Sequence, residues 1–291
     1  MPGTESIFRS RMTAFRSELK RLGYAEGRNL RIEARWAENK LERLPGLAMD
    51  LVALRPAVIL TASSGGIEAC RKATSEIPIV FATASSPVEQ GFVASLRRPG
   101  GNVTGVVLHT GMATKAVEIA REALPRARRF AILVHEPDPV HKLQLAEFIE
   151  TARRFTLEPI VIRVAQTEEL AIAFNEALSQ KAELLYLPAL AFTLSNYRYV
   201  VERSLKAGLP VLSGYEEITA AGGLLSYGTG REENFIRAAA LVDKILRGAK
   251  AGDLPVEQPE RFELIVNMKT AKAMGVTLSQ TTLMRANRVI E

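Results

Sequence analysis

Cysteine, histidine and long apolar runs are all scarce in this sequence of 291 residues. A single cysteine, Cys70, excludes an intramolecular disulfide, and three histidines with one thiol do not form a Cys/His zinc site of familiar spacing. The longest apolar runs, such as residues 58–60 and 130–134, are far shorter than the roughly 18 residues that a membrane-spanning helix needs. We therefore expect no disulfide, no metal, no cofactor and no membrane span.

The sequence motifs of common α/β enzymes are also missing. No Gly-x-Gly-x-x-Gly fingerprint follows an apolar run, and there is no P-loop, no Gly-x-Ser-x-Gly elbow and no His-Glu-x-x-His pair. Residues 227–230 form half of a dinucleotide fingerprint, but the third glycine fails and a hinge explains the same residues. Cys70 lies in a helical stretch, which favours a buried structural thiol over a nucleophile. The sequence therefore predicts no catalytic residue.

Basic residues exceed acidic ones, but they do not indicate a nucleic-acid partner. The formal net charge is +6, which favours acidic partners through long-range attraction. The basic residues lie in dispersed pairs at 97–98, 128–129 and 153–154, and no aromatic side chains alternate with them to stack on bases. A solvated face is the better interpretation of these pairs.

Hydrophobic periodicity predicts an α/β architecture. With 47% hydrophobic and 24% charged residues, and at about 100–200 residues per domain, the chain is a globular protein of two lobes. Apolar residues at helical spacing predict an opening helix that ends at Gly23. Strict alternation over residues 30–36 then predicts an edge strand, and residues 41–54 predict a second helix.

Short apolar runs of strand length follow, alternating with helical patterns. The predicted strands span residues 58–61, 79–82, 103–108, 130–134, 160–164, 184–187, 211–213 and 224–226, and the intervening helices include 170–178 and 235–246. This alternation predicts doubly wound parallel sheets, and about ten strands predict two Rossmann-like lobes of about five strands each.

Three crossings between the lobes are expected, near residues 108–111, 227–230 and 258–262. The N-terminal lobe would then comprise residues 1–108 and 229–261, and the C-terminal lobe residues 109–228 and 262–291.

Ligands of open parallel sheets bind beyond the carboxyl ends of the strands, so the loops there are the candidate site. In the first lobe, Ser63, Ser64 and Gly65 lead from a strand into a helix, and Ala84 and Ser85 follow the next strand. Hydroxyl groups and a helix N-terminus suit a carboxylate or phosphate, although an N-cap serine with a flexible turn explains the first loop equally well.

Further candidates come from the second lobe and from the first crossing. Tyr215 offers an aromatic face, and Glu216 and Glu217 offer carboxylates for an ammonium group, although two glutamates are also typical of a first helical turn. The candidate ligand-binding residues of this group are His109, Glu136, Pro188, Leu190, Tyr215, Glu216 and Tyr227.

Several motifs together resemble a known family. They are LKRLGYAEGRNLRIEAR at 19–35, RPGGNVTG at 98–105, AGGLLSYG at 221–228, VDKILRG at 242–248 and DLPVEQPERFEL at 253–264. Over about residues 8–291 the chain resembles the substrate-binding proteins of bacterial ABC importers, in the family that includes tryptophan- and tyrosine-binding members. These motifs are mostly structural and say little about the ligand.

The resemblance implies a type I periplasmic binding protein, with two lobes joined by a three-segment hinge that closes on a small solute. The implied partners are the solute and the ABC permease subunits of the membrane, and the implied location is the periplasm. By position, Ser63, Ser64, Gly65, Ala84 and Ser85 would bind the carboxylate, while Tyr215 with Glu216 or Glu217 would meet an ammonium group or side chain. The expected state is a monomer, with a weak dimer as the alternative.

Two departures from the family pattern bear on these expectations. Ser85 and Ser86 precede Pro87-Val88 where relatives carry an acidic residue, so both an amino acid and an aromatic or branched organic acid remain candidate solutes. The secretory leader and the first strand of the N-terminal lobe are not in this sequence, which suggests an upstream start or a trimmed chain. We expect residues 1–7 to fill part of that strand's place, or the segments at Leu30 and Val58 to flank a gap.

Two other functions remain open at this point. The missing leader favours a cytosolic ligand-sensing domain of the same fold, but no output element is present to receive its signal. A nucleotide-using α/β enzyme would need phosphate loops, which we do not find.

Overall fold

The computed structural model describes residues 1, 4–38, 40–108, 112–137, 140–258 and 261–291. The chain forms two compact units, one from Met1–Thr110 with Thr229–Arg261 and the other from Gly111–Gly228 with Phe262–Glu291. The chain therefore passes between the units three times. Parts of the predicted crossings, at residues 109–111 and 259–260, lie outside the described ranges.

Helices and strands alternate along the described chain. The helices are α1 (Glu5–Arg21), α2 (Leu44–Ala53), α3 (Ser64–Ala73), α4 (Met112–Ala123), α5 (Val140–Arg154), α6 (Leu170–Ser179), α7 (Ala191–Ala207), α8 (Glu216–Ala220), α9 (Arg231–Leu246), α10 (Met268–Ala273) and α11 (Gln280–Arg285). The strands are β1 (Ile59–Thr61), β2 (Ile79–Ala84), β3 (Val103–Val107), β4 (Arg129–His135), β5 (Glu158–Val164), β6 (Leu184–Leu187), β7 (Val211–Ser213), β8 (Leu225–Thr229), β9 (Phe262–Asn267) and β10 (Arg288–Ile290). None of the described helices is both long and apolar enough to cross a membrane.

The first unit contains a parallel sheet in the order β1-β2-β3, covered by helices on both faces. One set of strand residues packs with α1 and α9 and includes Val80, Ala82 and Val106. The other set packs with α2 and α3 and includes Ile79, Phe81 and Val103. Since both faces are buried, these strands are almost wholly apolar, as predicted, and their polar members Thr61, Thr83 and Thr104 are buried too.

The predicted edge strand at residues 30–36 is wrong, because the structure has no strand there. Among the described residues, its backbone bonds to two separate segments: Leu30 forms an isolated parallel bridge with Glu26, while the Met1 amino group donates to Arg35 O at 2.9 Å and Ala37 N donates to Met1 O at 2.9 Å. Alternation correctly predicts that Leu30, Ile32 and Trp36 pack inward, but Ala34, the fourth member of that set, is exposed. A strand also needs a hydrogen-bonded neighbour along its length, and here, within the described ranges, the hydrogen bonds of Met1 reach only Arg35 and Ala37, at one end of the segment.

The second unit contains a seven-stranded sheet in the order β10-β9-β8-β7-β6-β4-β5, and the pairs in register are parallel. Aromatic side chains occupy the core between this sheet and the helices α4 and α5. The ring of Phe148 lies 5.0 Å from that of Phe130 and 6.2 Å from that of Tyr186, centroid to centroid.

The expected division into about five strands per lobe is also wrong, since the described units have three and seven. Strands β9 and β10 extend the second sheet and escape the apolar pattern, because charged side chains such as Glu263 and Arg288 lie within them. The helix expected at 41–54 begins as a 3₁₀ turn at Leu41–Arg43, and Pro45 marks the first turn of α2. The stop at Gly23 is confirmed, because α1 ends at Arg21 and Gly23 has φ +99°.

Candidate functional site

The first candidate loop connects β1 directly to α3. Ser63 caps the helix, and its Oγ accepts a hydrogen bond from Gly66 N at 3.0 Å. A Cβ on Gly66 would lie 2.1 Å from Thr61 Oγ1, so only glycine fits this turn without a shift of the buried threonine. The amides of Ser64 and Gly65 belong to the first turn, where N–H groups have no acceptor within the helix and attract negative charge.

The second candidate loop follows β2 at the same edge of the sheet. Leu108 N donates to the carbonyl of Ala84 at 2.6 Å, which holds the end of β2 beside the residue that follows β3. Ser86 has φ +46°, a left-handed conformation that is costly for a residue with a side chain and unusual directly before a proline. Gln90 N donates to Ser86 O at 3.0 Å and closes the turn. The structure therefore holds Ser85 in a strained, tightly connected loop.

Gln90 links the two loops and was not predicted as a site residue. Its Nε2 donates to Ser64 Oγ at 3.1 Å and to Ser85 O at 2.5 Å. The candidates Ser64 and Ser85 are thereby brought together on one surface. No signal in the sequence identifies Gln90, because it lies in a turn beyond the loop. Its contacts with Ser64 and Ser85 depend on β1 and β2 being neighbours in the sheet.

In the second unit, three neighbouring strands end in loops that touch each other. A Cβ on Gly214, after β7, would lie 2.7 Å from the Cβ of Ala189, after β6. A Cβ on Gly228, in β8, would lie 2.4 Å from Gly214 O. These close approaches bring together the segments that carry the candidates Pro188, Leu190, Tyr215 and Tyr227.

The side chains on these loops are largely packed within the protein. Leu190 and Tyr215 are buried and precede α7 and α8 as N-cap residues. Tyr227 is half-buried and stacks on Phe262, with ring centroids 5.5 Å apart and planes at 15°. This packing positions the loop backbone at the strand ends.

Of the three candidate glutamates of the second unit, Glu217 is half-buried, while Glu216 and Glu136 lie on the surface with basic partners. Glu216 Oε2 is 2.7 Å from Arg288 Nη2, and Glu136 Oε1 is 3.3 Å from Arg163 Nη1. Both pairs are about half exposed, so each contributes at most about 1 kcal/mol to stability.

An aromatic pair stands at the carboxyl end of β4. His135 is 6% exposed, its ring lies parallel to that of Phe192 with centroids 4.2 Å apart, and Nε2 is 3.2 Å from Ala165 O. Burial lowers the pKa of His135 below its ordinary value, so the imidazole is neutral at pH 7. The strand pattern predicts where His135 lies, but not its stack with Phe192. The candidate His109 lies outside the described residues.

Cys70 is buried in α3, and burial raises the pKa of its thiol. The prediction of a buried thiol is therefore confirmed, and the raised pKa keeps the thiolate fraction low at neutral pH.

In open parallel α/β sheets, loops beyond the carboxyl ends of the strands, such as these hydroxyl and glycine loops, are where ligands bind. The family model "ABC transporter substrate binding protein" matches residues 8–290, and the chain belongs to this family. A tyrosine-binding protein of Clostridioides difficile (strain R20291) is 27% identical over 265 residues, which cover 90% of this chain and 75% of the relative.

Solved structures show the same fold. An ABC domain from Streptococcus pneumoniae in complex with L-Trp superimposes with a TM-score of 0.92 at 22% identity, covering 99% of this chain and 97% of the other. A protein from Vibrio cholerae O1 biovar El Tor has a TM-score of 0.92 at 23% identity, covering 99% and 96%. The fold is that of the type I periplasmic binding proteins.

Proposed function

We propose that this chain is the solute-binding component of an ABC importer and that its solute is an amino acid, foremost one with an aromatic side chain. The family match over residues 8–290 carries the proposal. The relative from C. difficile is named for tyrosine, and the S. pneumoniae structure holds L-Trp. The proposed site of action is the periplasm, where the loaded protein delivers its solute to the permease subunits.

The proposed mechanism is closure of the two units as lobes around the solute. The three chain segments between the units would serve as the hinge. A solute that contacts both lobes binds the closed form better than the open form, so binding shifts the equilibrium towards closure. No covalent step is needed, and we propose that the protein is not an enzyme.

The loops of the first unit suit the carboxylate of the solute. The first-turn amides of Ser64 and Gly65 and the hydroxyl groups of Ser63, Ser64 and Ser85 offer hydrogen-bond donors at one edge of the sheet. In the second unit we propose that Tyr215 and Glu216 or Glu217 meet the ammonium group or the side chain, with the Glu216 to Arg288 pair opening first.

Thermal denaturation with candidate solutes tests the proposal. We expect L-tryptophan or L-tyrosine to raise the melting temperature by several degrees, because a ligand at 100 times its Kd adds about 2.7 kcal/mol to the free energy of unfolding. L-leucine and benzoate extend the test to a branched amino acid and an organic acid. Stabilisation by benzoate alone would contradict the amino-acid assignment, and turnover of any of these compounds would contradict the non-catalytic role.

The variant Gln90→Leu tests whether the linked loops of the first unit form the binding surface. It removes two hydrogen bonds of about 0.5–1.5 kcal/mol each, so we expect the affinity for the stabilising amino acid to fall about tenfold. Gln180→Leu is the control, because Gln180 is exposed and, among the described residues, its Nε2 donates to Glu176 Oε1 alone, at 3.2 Å. Equal affinity in both variants, measured by titration calorimetry, would place the ligand elsewhere.

A further inference from the structure

Asn234, in the first turn of α9, carries a buried side-chain amide. Its side chain is 0% exposed, and neither Oδ1 nor Nδ2 has a hydrogen-bond partner among the described residues. Asn267, in the second unit, is 4% exposed but fully bonded: Oδ1 accepts from Thr270 N at 3.0 Å, and Nδ2 donates to Thr219 O at 2.9 Å. The two asparagines share burial and differ in bonding.

An unbonded buried amide destabilises a fold, because the group loses its water and gains nothing in return. Its helical neighbours show that packing does not require an amide there. Positions 234, 238, 241 and 245 share one face of α9, and Ala238, Leu241 and Ile245 are apolar members of the core. An apolar side chain would suit position 234 equally well, so the amide needs another explanation.

The face that carries Asn234 is directed towards the sheet of the first unit. Ala238 and Leu241 belong to the same cluster as Val80 and Val106, which lie in β2 and β3. Since residues four apart on a helix stand one above the other, Asn234 is directed to the same side as Ala238.

The direction of α9 places Asn234 near the carboxyl ends of these strands. Beyond the C-terminus of α9, Leu254 O accepts a hydrogen bond from Thr104 Oγ1 at 2.8 Å, at the start of β3. Arg237, nearer the N-terminus, has Nη1 3.6 Å from Glu257 Oε2, and Glu257 O accepts from the amide of Val107, where β3 ends. The helix therefore runs antiparallel to β3.

Asn234 lies one turn before Arg237 and so at the carboxyl edge of the sheet, or beyond it. This is the edge from which the loops of Ser64 and Ser85 emerge. An unbonded donor and acceptor thus stand at the edge where we propose that the solute binds.

We infer that the amide of Asn234 binds the head group of the amino acid: Nδ2 donates to the carboxylate, and Oδ1 accepts from the ammonium group. The inference rests on the proposed function and adds a residue to it. An amide presents a donor and an acceptor side by side, which matches the zwitterion of an α-amino acid better than a carboxylate alone. A site with buried polar groups rejects an analogue that leaves them unpaired.

The variant Asn234→Leu tests the inference, with L-tryptophan and its des-amino analogue, indole-3-propionate, as probes. In the wild type we expect L-tryptophan to bind at least tenfold more tightly than indole-3-propionate. In N234L we expect the affinity for L-tryptophan to fall at least tenfold and the preference over the analogue to shrink towards unity.

The matched variant Asn267→Leu separates a ligand contact from a structural role. Because both amide atoms of Asn267 are bonded within the fold, N267L should lower the melting temperature of the ligand-free protein by several degrees, while N234L should lower it far less or raise it. Should leucine prevent folding at either position, the same comparisons are made with N234A and N267A.

The outcomes separate this inference from the proposed function. If the wild type binds neither L-tryptophan nor L-tyrosine, the amino-acid proposal fails and the inference fails with it. If the wild type binds L-tryptophan and the Asn234 variants bind it equally well, the inference alone is overturned. It is also overturned if the Asn234 variant is destabilised as much as its Asn267 counterpart, since the amide is then bonded within the fold.

Discussion

Burial controls the protonation of His135. The imidazole is 6% exposed and stacked on Phe192, so a positive charge there would lose most of its hydration. Loss of hydration is the main cause that lowers the pKa of His135 below its ordinary value of 6.5, and the hydrogen bond with Ala165 O opposes it in part. Folding therefore favours the neutral ring.

This preference predicts a loss of stability in mild acid. The unfolded chain takes up a proton at His135 near pH 6.5, whereas the folded protein takes it up only at lower pH. The contribution of the neutral ring to the free energy of unfolding is therefore present above pH 6.5 and is lost as the pH falls below that value. The loss is at most about 1.4 kcal/mol per pH unit. We expect urea denaturation between pH 7.5 and 5 to show a smaller decline in His135→Gln than in the wild type.

The difference between the two pH profiles isolates His135, because the other titrating groups are common to both proteins. Parallel profiles would mean that the ring has the same proton affinity in the folded and unfolded chains.

At the scale of elements, the start of α3 depends on a glycine that the sequence pattern alone does not distinguish from others. A Cβ on Gly66 would lie 2.1 Å from Thr61 Oγ1, whereas a Cβ on Gly46, in the exposed first turn of α2, would meet nothing within 4 Å. Both glycines lie in a helix, but only Gly66 is closely packed against a neighbouring side chain.

We expect a glycine-to-alanine substitution to have opposite effects on stability at positions 66 and 46. Gly66→Ala forces a shift in a packed turn and should destabilise the protein by about 1–3 kcal/mol. Gly46→Ala should stabilise it by about 0.5–1 kcal/mol, because alanine loses less backbone freedom in a helix. Chemical denaturation of the two variants beside the wild type measures both changes in the free energy of unfolding. If G66A is as stable as the wild type and binds its ligand with unchanged affinity, the turn adapts to the added methyl group and the prediction is wrong.

Elements with buried apolar runs are predictable from this sequence, and elements defined by their neighbours are not. The strands at residues 58–61 and 184–187 correspond to β1 and β6 because helices cover both faces of each sheet. Residues 30–36 alternate and three of their four predicted inward side chains pack in the core, yet they form no strand, because strand hydrogen bonding depends on a distant segment. The edge strand β10 has two exposed residues of three, and its apolar run of two residues is too short to indicate a strand.

The candidate site follows the same distinction. The order of strands and helices predicts which loops lie at strand ends, and it therefore predicts Ser63, Ser64 and Ser85 as site residues. Gln90 and Asn234 are not found in this way, because their importance lies in contacts, or missing contacts, with residues remote in sequence.

At the scale of the whole molecule, each unit has a core of its own. Phe235, in α9, is fully buried and lies 6.1 Å from the ring of Phe8 in the first unit. Phe148, in α5, is fully buried against Phe130 and Tyr186 in the second. The three chain crossings join the two cores covalently, so a defect in one core can act on its own unit first.

Phenylalanine-to-alanine substitutions in the two cores test this independence. Each should cost about 3–5 kcal/mol, because a large buried ring is removed and the space is only partly refilled. In Phe235→Ala we expect amide hydrogen exchange, followed by mass spectrometry, to accelerate in β1, β2, β3 and α9 while β4 and β6 stay protected, and in Phe148→Ala the reverse. Protection lost equally across both units in either variant would mean that they unfold as one, and a hinge between independently folded lobes would then be the wrong description of this protein.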